Sequence, residues 1–354
     1  MEKKTDKFDA GRRRFLGTVA AGAAVSLAMP HIARAQASEL NITGWGGKWG
    51  EIFDSTLAPM FEKEFGGKLV RDTSFPFLPK LQSSSRSNPI YDVLHTNSNE
   101  QWAAVKMGLV EPELDKSQIP NLADLYDYAT SDKIVGVSMF TSAIGMGYRS
   151  DLVSEAPTSW KDLWKDEYAD KRGAYVIPVN SLGQAFLTMA GAVYGSGYDD
   201  LDAAYEAMEK LKPVKLVDFT GSMEKMLLSG EVEICVIHDS GVYRYFDTPN
   251  EMGFCTPEEG VLALEQVLTV TPGTQKRELA NAFINFMLRP DVQKLMAEAV
   301  WYSPANKKVT LSEEYQKRLL TTPEKVAKLV QVDWQWYNAN KDAIDMRVNR
   351  IFRT

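Results

Sequence analysis

With 354 residues the chain can fill two domains of ordinary size, and an apolar share of 44% can give each a core. Its 40 basic and 47 acidic residues leave a net charge of −7, which gives no case for a nucleic-acid partner. Three histidines and two cysteines, with no H-E-x-x-H, no paired C-x-x-C and no G-x-S-x-G, leave a metal centre or a covalent nucleophile unsupported, and no cofactor box is present.

The first residues read as an address. Lys3, Lys4, Lys7, Arg12, Arg13 and Arg14 form a basic start, residues 15–29 a weakly apolar run, and Ala33-Arg34-Ala35 a set of small residues suited to cleavage. The run is too short for a membrane anchor, and Arg12-Arg13-Arg14-Phe15-Leu16 has the form of a twin-arginine export signal. Residues 1–35 are expected to be removed near Ala35, with Gln36 as the mature start and the periplasm as the destination. The remainder holds 33 basic and 44 acidic residues, a net of −11. It contains no other apolar run long enough to span a membrane.

Leu40-Asn41-Ile42-Thr43 alternates as a strand does, and Gly44-Trp45-Gly46-Gly47 follows as a turn. Trp49, Ile52, Phe53, Leu57, Met60, Phe61 and Phe65 then recur at three- and four-residue steps, as on one buried helix face. A kink or a break is expected at Pro59 and a stop at Gly66-Gly67. Such a strand–turn–helix unit puts backbone N–H groups and the Trp45 indole where open α/β sheets bind ligands. Residues 91–96 read as a strand whose end loop carries Asn97, Ser98 and Asn99, which either cap the next helix or face a ligand. Two strands close together, 134–140 and 143–148, look like a crossing between lobes. A strand at 175–177 leads through Asn180 and Ser181 into a helix, and further strands lie at 214–217 and 233–237. His238 and Asp239 end the last of these, where Asp239 either meets a ligand or caps a helix over 241–246. Residues 260–271 look like the return crossing, and only helices are expected after it, at 277–288, 290–300 and 326–346. Helices after a strand-rich middle imply a discontinuous first lobe. Cys235 and Cys255 sit in strand-like runs and read as buried free thiols, although export would permit a disulfide.

Four stretches carry a resemblance: Thr158-Ser159-Trp160-Lys161-Asp162-Leu163-Trp164 ahead of Tyr168, Ser229-Gly230-Glu231-Val232-Glu233, Ala282-Phe283-Ile284-Asn285-Phe286-Met287-Leu288-Arg289-Pro290-Asp291-Val292, and Tyr302-Ser303-Pro304-Ala305-Asn306. In them the chain resembles the periplasmic solute-binding proteins of ABC importers, from Leu40 to about Asp345. It is most similar to the spermidine/putrescine-binding group and its thiamine- and iron-binding relatives. The resemblance implies an α/β, type 2 periplasmic-binding fold, two lobes joined by two hinge strands with the ligand between them. Lobe one would take residues 36–138 plus 268–354, and lobe two residues 139–267. It further implies a non-catalytic monomer, without cofactor or metal, that hands a small solute to a permease in the inner membrane.

The same resemblance supplies ligand positions. Trp45 and Tyr302 fall where the polyamine binders place aromatic walls, which suits a cationic group, and Gln335 matches a polar contact. Asn97 and Asn99 are the strand-end candidates. Departures matter as much. Ser181, Gln184 and Gln266, all uncharged, stand where the polyamine binders hold ammonium groups with carboxylates. Gly47 and Lys48 replace an acid and an aromatic, and His238 replaces a tryptophan. Asp239 and Glu265 are the acids left. This pattern points to a zwitterion or small organic anion, its amine toward Asp239 and its acid group toward Gly47 and Lys48, with Arg244 either close by or a solvated surface residue. A true polyamine or thiamine binder is the alternative within the family. Outside it, the alternative is an exported enzyme using His238 beside Asp239 as an acid–base pair. Tyr243-Arg244-Tyr245 alternates, unlike the adjacent tyrosines of iron binders.

Overall fold

A computed structural model describes residues 39–245 and 252–352. The expected export signal and its cleavage site lie outside the described residues. The chain enters on β1 (Glu39–Thr43), with Leu40 and Ile42 buried, and turns into α1 (Gly47–Ile52). A π-helical turn (Phe53–Leu57) joins α1 to α2 (Ala58–Phe65). Trp49, Phe53, Leu57 and Phe61, four apart, make the buried stripe. The irregularity therefore falls before Pro59. The proline sits in the first turn of α2, where its missing N–H costs little, and the Ala58 N–H reaches back to Phe53 O. Gly66, left-handed at φ 75°, ends the helix as expected, its N–H on Glu62 O at 2.9 Å.

The first half continues through β2 (Lys68–Asp72), α3 (Leu78–Ser83), β3 (Val93–Asn97) and α4 (Ser98–Lys106). Next comes β4 (Val137–Arg149), one long strand where two were expected, with a register shift between Ser138 and Phe140. The middle holds β5 (Arg172–Tyr175), α5 (Ser181–Tyr194), α6 (Leu201–Lys210), β6 (Lys215–Val217), α7 (Thr220–Ser229), β7 (Ile234–His238), α8 (Asp239–Tyr243) and β8 (Met252–Cys255). The return crossing is β9 (Val261–Val270). After it come α9 (Arg277–Met287), α10 (Pro290–Val300), β10 (Ser303–Pro304), α11 (Glu313–Arg318), α12 (Pro323–Val326), β11 (Leu329–Val330) and α13 (Trp334–Ile351). The segment after β9 is thus not purely helical. β10 pairs with β4 and β11 with β9. The last long helix starts at Trp334, because Asp333 Oδ1 accepts the Trp336 N–H at 2.9 Å and caps it.

The main strands run in the order β2-β1-β3-β9-β4-β7-β5-β6. β1 is parallel to β2 and β3, whereas β9 and β4 run antiparallel to each other and to their other neighbours on this path. Two cores form on this sheet. One gathers Ile42, Phe53, Phe61, Val137, Phe140, Leu268, Phe283 and Phe286, the other Ile144, Met146, Phe186, Ile234, Leu262 and Leu264. β4 and β9 serve both, passing between them at Thr141, Ser142, Glu265 and Gln266. Two α/β lobes joined by two strands are the result. The C-terminal helix touches both lobes: Trp334, Tyr337, Ile344, Val348 and Ile351 of α13 pack in the second core, while α13 also lies against α4, Asn338 Nδ2 donating to Asn99 O at 2.9 Å. Cys235 and Cys255 are buried and free. They sit opposite Gly147 and Met146 on either side of β4, so two interstrand spacings, about 9–10 Å, separate them, beyond disulfide reach.

Candidate ligand-binding cleft

The turn after β1 is held from below. The Arg71 guanidinium donates to Trp45 O and forms a fork on Asp54, with Nη2 2.6 Å from Oδ2. It also lies over the Trp49 and Phe53 rings. A Cβ on Gly44 or Gly50 would come within 2.9 Å of Arg71 atoms, which is why glycine stands at both. Gly47 has φ +59 with open space around it, so backbone conformation alone selects glycine there. Trp45, half-buried, meets the edge of His95 at 5.5 Å.

Beside this turn opens a cavity of about 610 Å³. The first core contributes Trp45, Gly47, Lys48, Trp49, Asn97, Val300 and Tyr302; the second side contributes Asn180, Ser181, Phe219, Thr220, Glu224, His238 and Arg244; Gln266 comes from the β9 crossing. The starts of α1, α5, α7 and α8 thus all reach the cavity. Asn180 caps α5 by accepting the Leu182 N–H at 2.8 Å, whereas no side chain caps α7. Two pairs bridge the sides near the crossing strands: Asn97 Nδ2 donates to Ser181 Oγ at 3.1 Å, and Asn99 Nδ2 to Gln184 Oε1 at 2.9 Å. His95 Nε2 lies 3.3 Å from Gln266 Oε1, and burial pushes the His95 pKa down to about 3.

Eight of the twelve expected ligand positions line the cavity: Trp45, Gly47, Lys48, Asn97, Ser181, His238, Gln266 and Tyr302. Four do not. Gln184 is buried in the first turns of α5 and spent on Asn99, which in turn sits behind Asn97. Gln335 is exposed on α13. Asp239 is fully buried, its Oδ1 accepting the Ser240 N–H at 2.7 Å, with Ser142 and Ala143 of β4 beside it; burial pushes its pKa up to about 7. The expected salt partner for a ligand amine is therefore misplaced, because His238 and Asp239 are successive residues and point apart. Glu265 is absent from the lining for the same reason: Leu264 and Gln266 face the cavity, and Glu265 faces the other way.

The carboxylate that does line the cavity is Glu224, on α7, which nothing in the sequence singled out. Its side chain is 8% exposed, 3.6 Å from Arg244 Nη1. Tyr245 Oη donates to its other oxygen at 3.1 Å. Burial raises its pKa, and Arg244 and Tyr245 oppose the rise. Lys48 is 60% exposed and 3.5 Å from Glu51. The only available sequence signal for Glu224 was helical phase: it lies four residues beyond Thr220, one turn inward from the helix start at the cleft.

A polar, aromatic-walled cleft between two α/β cores joined by long strands defines a protein that captures a small solute. Comparison with known proteins agrees. The family model described as bacterial extracellular solute-binding protein matches residues 56–324. The chain belongs to that family. It is 27% identical to the spermidine/putrescine-binding periplasmic protein of Salmonella typhimurium over 276 residues, 73% of this chain and 76% of that one. It is 23% identical to the gamma-aminobutyric acid-binding protein of Pseudomonas aeruginosa over 333 residues, 91% of this chain and 93% of that one. The structure of an ABC transporter protein from Clostridium perfringens superposes with a TM-score of 0.76 at 27% identity, covering 88% of this chain and 99% of that one. The fold is the two-lobe periplasmic-binding type.

Proposed function

We propose that this protein is the periplasmic, non-catalytic capture component of an ABC importer, and that its solute is a small zwitterion with one amine and one carboxylate. The observation that carries the reading is the charge on the cavity wall. Glu224 is the one carboxylate in the lining among the described residues, and it faces Arg244, with Lys48 at the rim. A linear polyamine needs an acceptor set for each buried ammonium, and Ser181 and Gln266 supply no charge. A zwitterion matches an acid and a base placed together. The relatives named for gamma-aminobutyric acid and for spermidine and putrescine bracket this choice, and the former spans more of the chain. Ligand orientation follows: the amine lies toward Glu224 and the aromatic faces of Trp45 and Tyr302, the acid group toward Arg244.

The same proposal includes export as a twin-arginine precursor cleaved near Ala35, a monomeric mature protein, and lobe limits near residues 138 and 268 with α13 assigned to the second lobe. The His238–Asp239 pair gives an enzyme reading no support, since His238 Nδ1 is engaged by Ser240 and Gly241. Isothermal titration with 4-aminobutanoate, spermidine, putrescine and thiamine tests the solute class. The zwitterion should bind at least about tenfold tighter than spermidine, the scale of one charged hydrogen-bond partner. Tighter binding of spermidine overturns the reading.

A further inference from the structure

We infer that His238 is the uncharged hydrogen-bond donor for the ligand's carboxylate, locked in the Nε2–H tautomer by the start of α8 and acting beside Arg244. The inference rests on the zwitterion reading and adds the group that reads the acid end.

The tautomer follows from the neighbours. The Gly241 amide N–H points at His238 Nδ1 from 3.1 Å, and an amide N–H can only donate. Nδ1 therefore presents its lone pair, and the Ser240 hydroxyl, at 2.8 Å, donates to the same atom. A neutral imidazole with its lone pair on Nδ1 carries its proton on Nε2. Burial holds the ring pKa down at about 3, with the Arg244 charge as a further cause, so the ring is neutral at neutral pH.

The second half of the inference concerns what Nε2–H faces. Both hydrogen bonds that the ring makes with the described residues go to Nδ1, which leaves Nε2–H without a partner among them. The residue is only 7% exposed, yet it lines the cavity. A donor on the cavity wall can give its hydrogen bond to a ligand oxygen in place of water. Nε2–H cannot accept, so the ammonium end of a zwitterion has no place on this edge. Arg244 on the same wall and the uncapped start of the ten-residue α7, at Thr220 and Gly221, bias the subsite toward a negatively charged oxygen over a neutral one. A neutral donor lining the same cavity adds a hydrogen bond without adding charge repulsion against Arg244.

Two measurements test this. Long-range ¹H–¹⁵N spectra of the histidine-labelled protein at pH 7 should show His238 protonated on Nε2 alone, with that resonance shifting when 4-aminobutanoate is added. Isothermal titration of 4-aminobutanoate and n-butylamine into the unaltered protein, His238→Phe and His238→Gln should show about a tenfold loss for the acid-bearing probe in His238→Phe. His238→Gln, which restores an N–H donor, should recover part of that loss, and butylamine affinity should hardly change. The two readings fail separately. An unaltered protein that prefers spermidine to 4-aminobutanoate overturns the zwitterion reading. An Nδ1–H or doubly protonated ring overturns the His238 inference, and this spectrum decides even where a variant does not fold. Undiminished 4-aminobutanoate binding in His238→Phe overturns it too, as does a matching loss for butylamine or no binding of the acid-bearing probe by the unaltered protein.

Discussion

Glu224 Oε1 and Arg244 Nη1 face each other across 3.6 Å on the wall of the cleft, the acid nearly buried and the base 37% exposed. At that separation the pair is loose, so a ligand carrying both charges can engage each partner without breaking a tight bidentate bridge. Arg244→Ala is expected to weaken 4-aminobutanoate by about 1.5–3 kcal/mol, one to two decades in Kd. Arg244→Lys should recover only part, because an ammonium lacks the planar fork. Isothermal titration reads both, and full affinity in Arg244→Ala would remove the base from the site.

Trp45 is the aromatic wall nearest the turn, half-buried and in contact with His95 and Phe77. Ligand binding should change tryptophan fluorescence, and Trp45→Ala should weaken binding by ~1–3 kcal/mol through lost stacking and cation–π contact. An unaltered Kd with reduced melting temperature would mark the indole as packing only.

Arg71 should matter although it is not among the residues lining the cavity. It fixes the Trp45 carbonyl and stacks on Trp49, and its fork on Asp54 needs guanidinium geometry. Arg71→Lys is expected to cost about 1–2 kcal/mol of stability and to weaken ligand binding as the turn loosens. Denaturant titration and calorimetry check the two effects; unchanged values in both would leave the turn self-supporting.

Much of this was legible in the sequence because it depends on local patterns. The stripe from Trp49 to Phe61, the stop at Gly66 and the long apolar return strand β9 are periodicity and turn chemistry. Eight cavity residues came from the resemblance together with strand-end placement. The misses share a cause, which is that sequence order does not reveal side-chain direction. Asp239 and Glu265 each adjoin a residue facing the cleft and face away from it. Glu224 lies inside a helix whose phase relative to the cleft depends on how α7 meets β7. The assignment of α13 to the second core depends on contacts more than a hundred residues apart, which no local signal carries.

Export offers a test independent of the cleft. If Arg12-Arg13 is a working twin-arginine pair, replacing both by lysine should leave precursor in the cytoplasm, seen as the larger band on fractionation. Mature protein appearing normally in the periplasm would point to another export route.

The buried acids set a dependence of stability on pH. Glu265 is enclosed at the crossing of β9 with β4, where Gln331 Nε2 donates to Oε1 at 3.1 Å, and burial pushes its pKa up to about 7. A carboxyl whose folded pKa is raised is protonated in both states at low pH, so its full contribution is present below the unfolded value near 4.5. As pH climbs from there toward 7, the unfolded chain ionises while the folded one resists, and stability falls; above 7 both are ionised and the loss stays constant. Tyr128, Ser98 and Thr141 are uncharged neighbours; the hydrogen bonds from Gln331 and Ser98 and the charge of Lys133 oppose the rise. Glu265→Gln keeps an oxygen for Gln331 and removes the ionisation. The variant should match the unaltered protein within about 1 kcal/mol at pH 4.5 and exceed it by on the order of 1–3 kcal/mol at pH 8. Urea midpoints at the two pH values measure the difference, and curves that stay parallel across the range would show that Glu265 ionises as freely in the folded protein as in the unfolded chain.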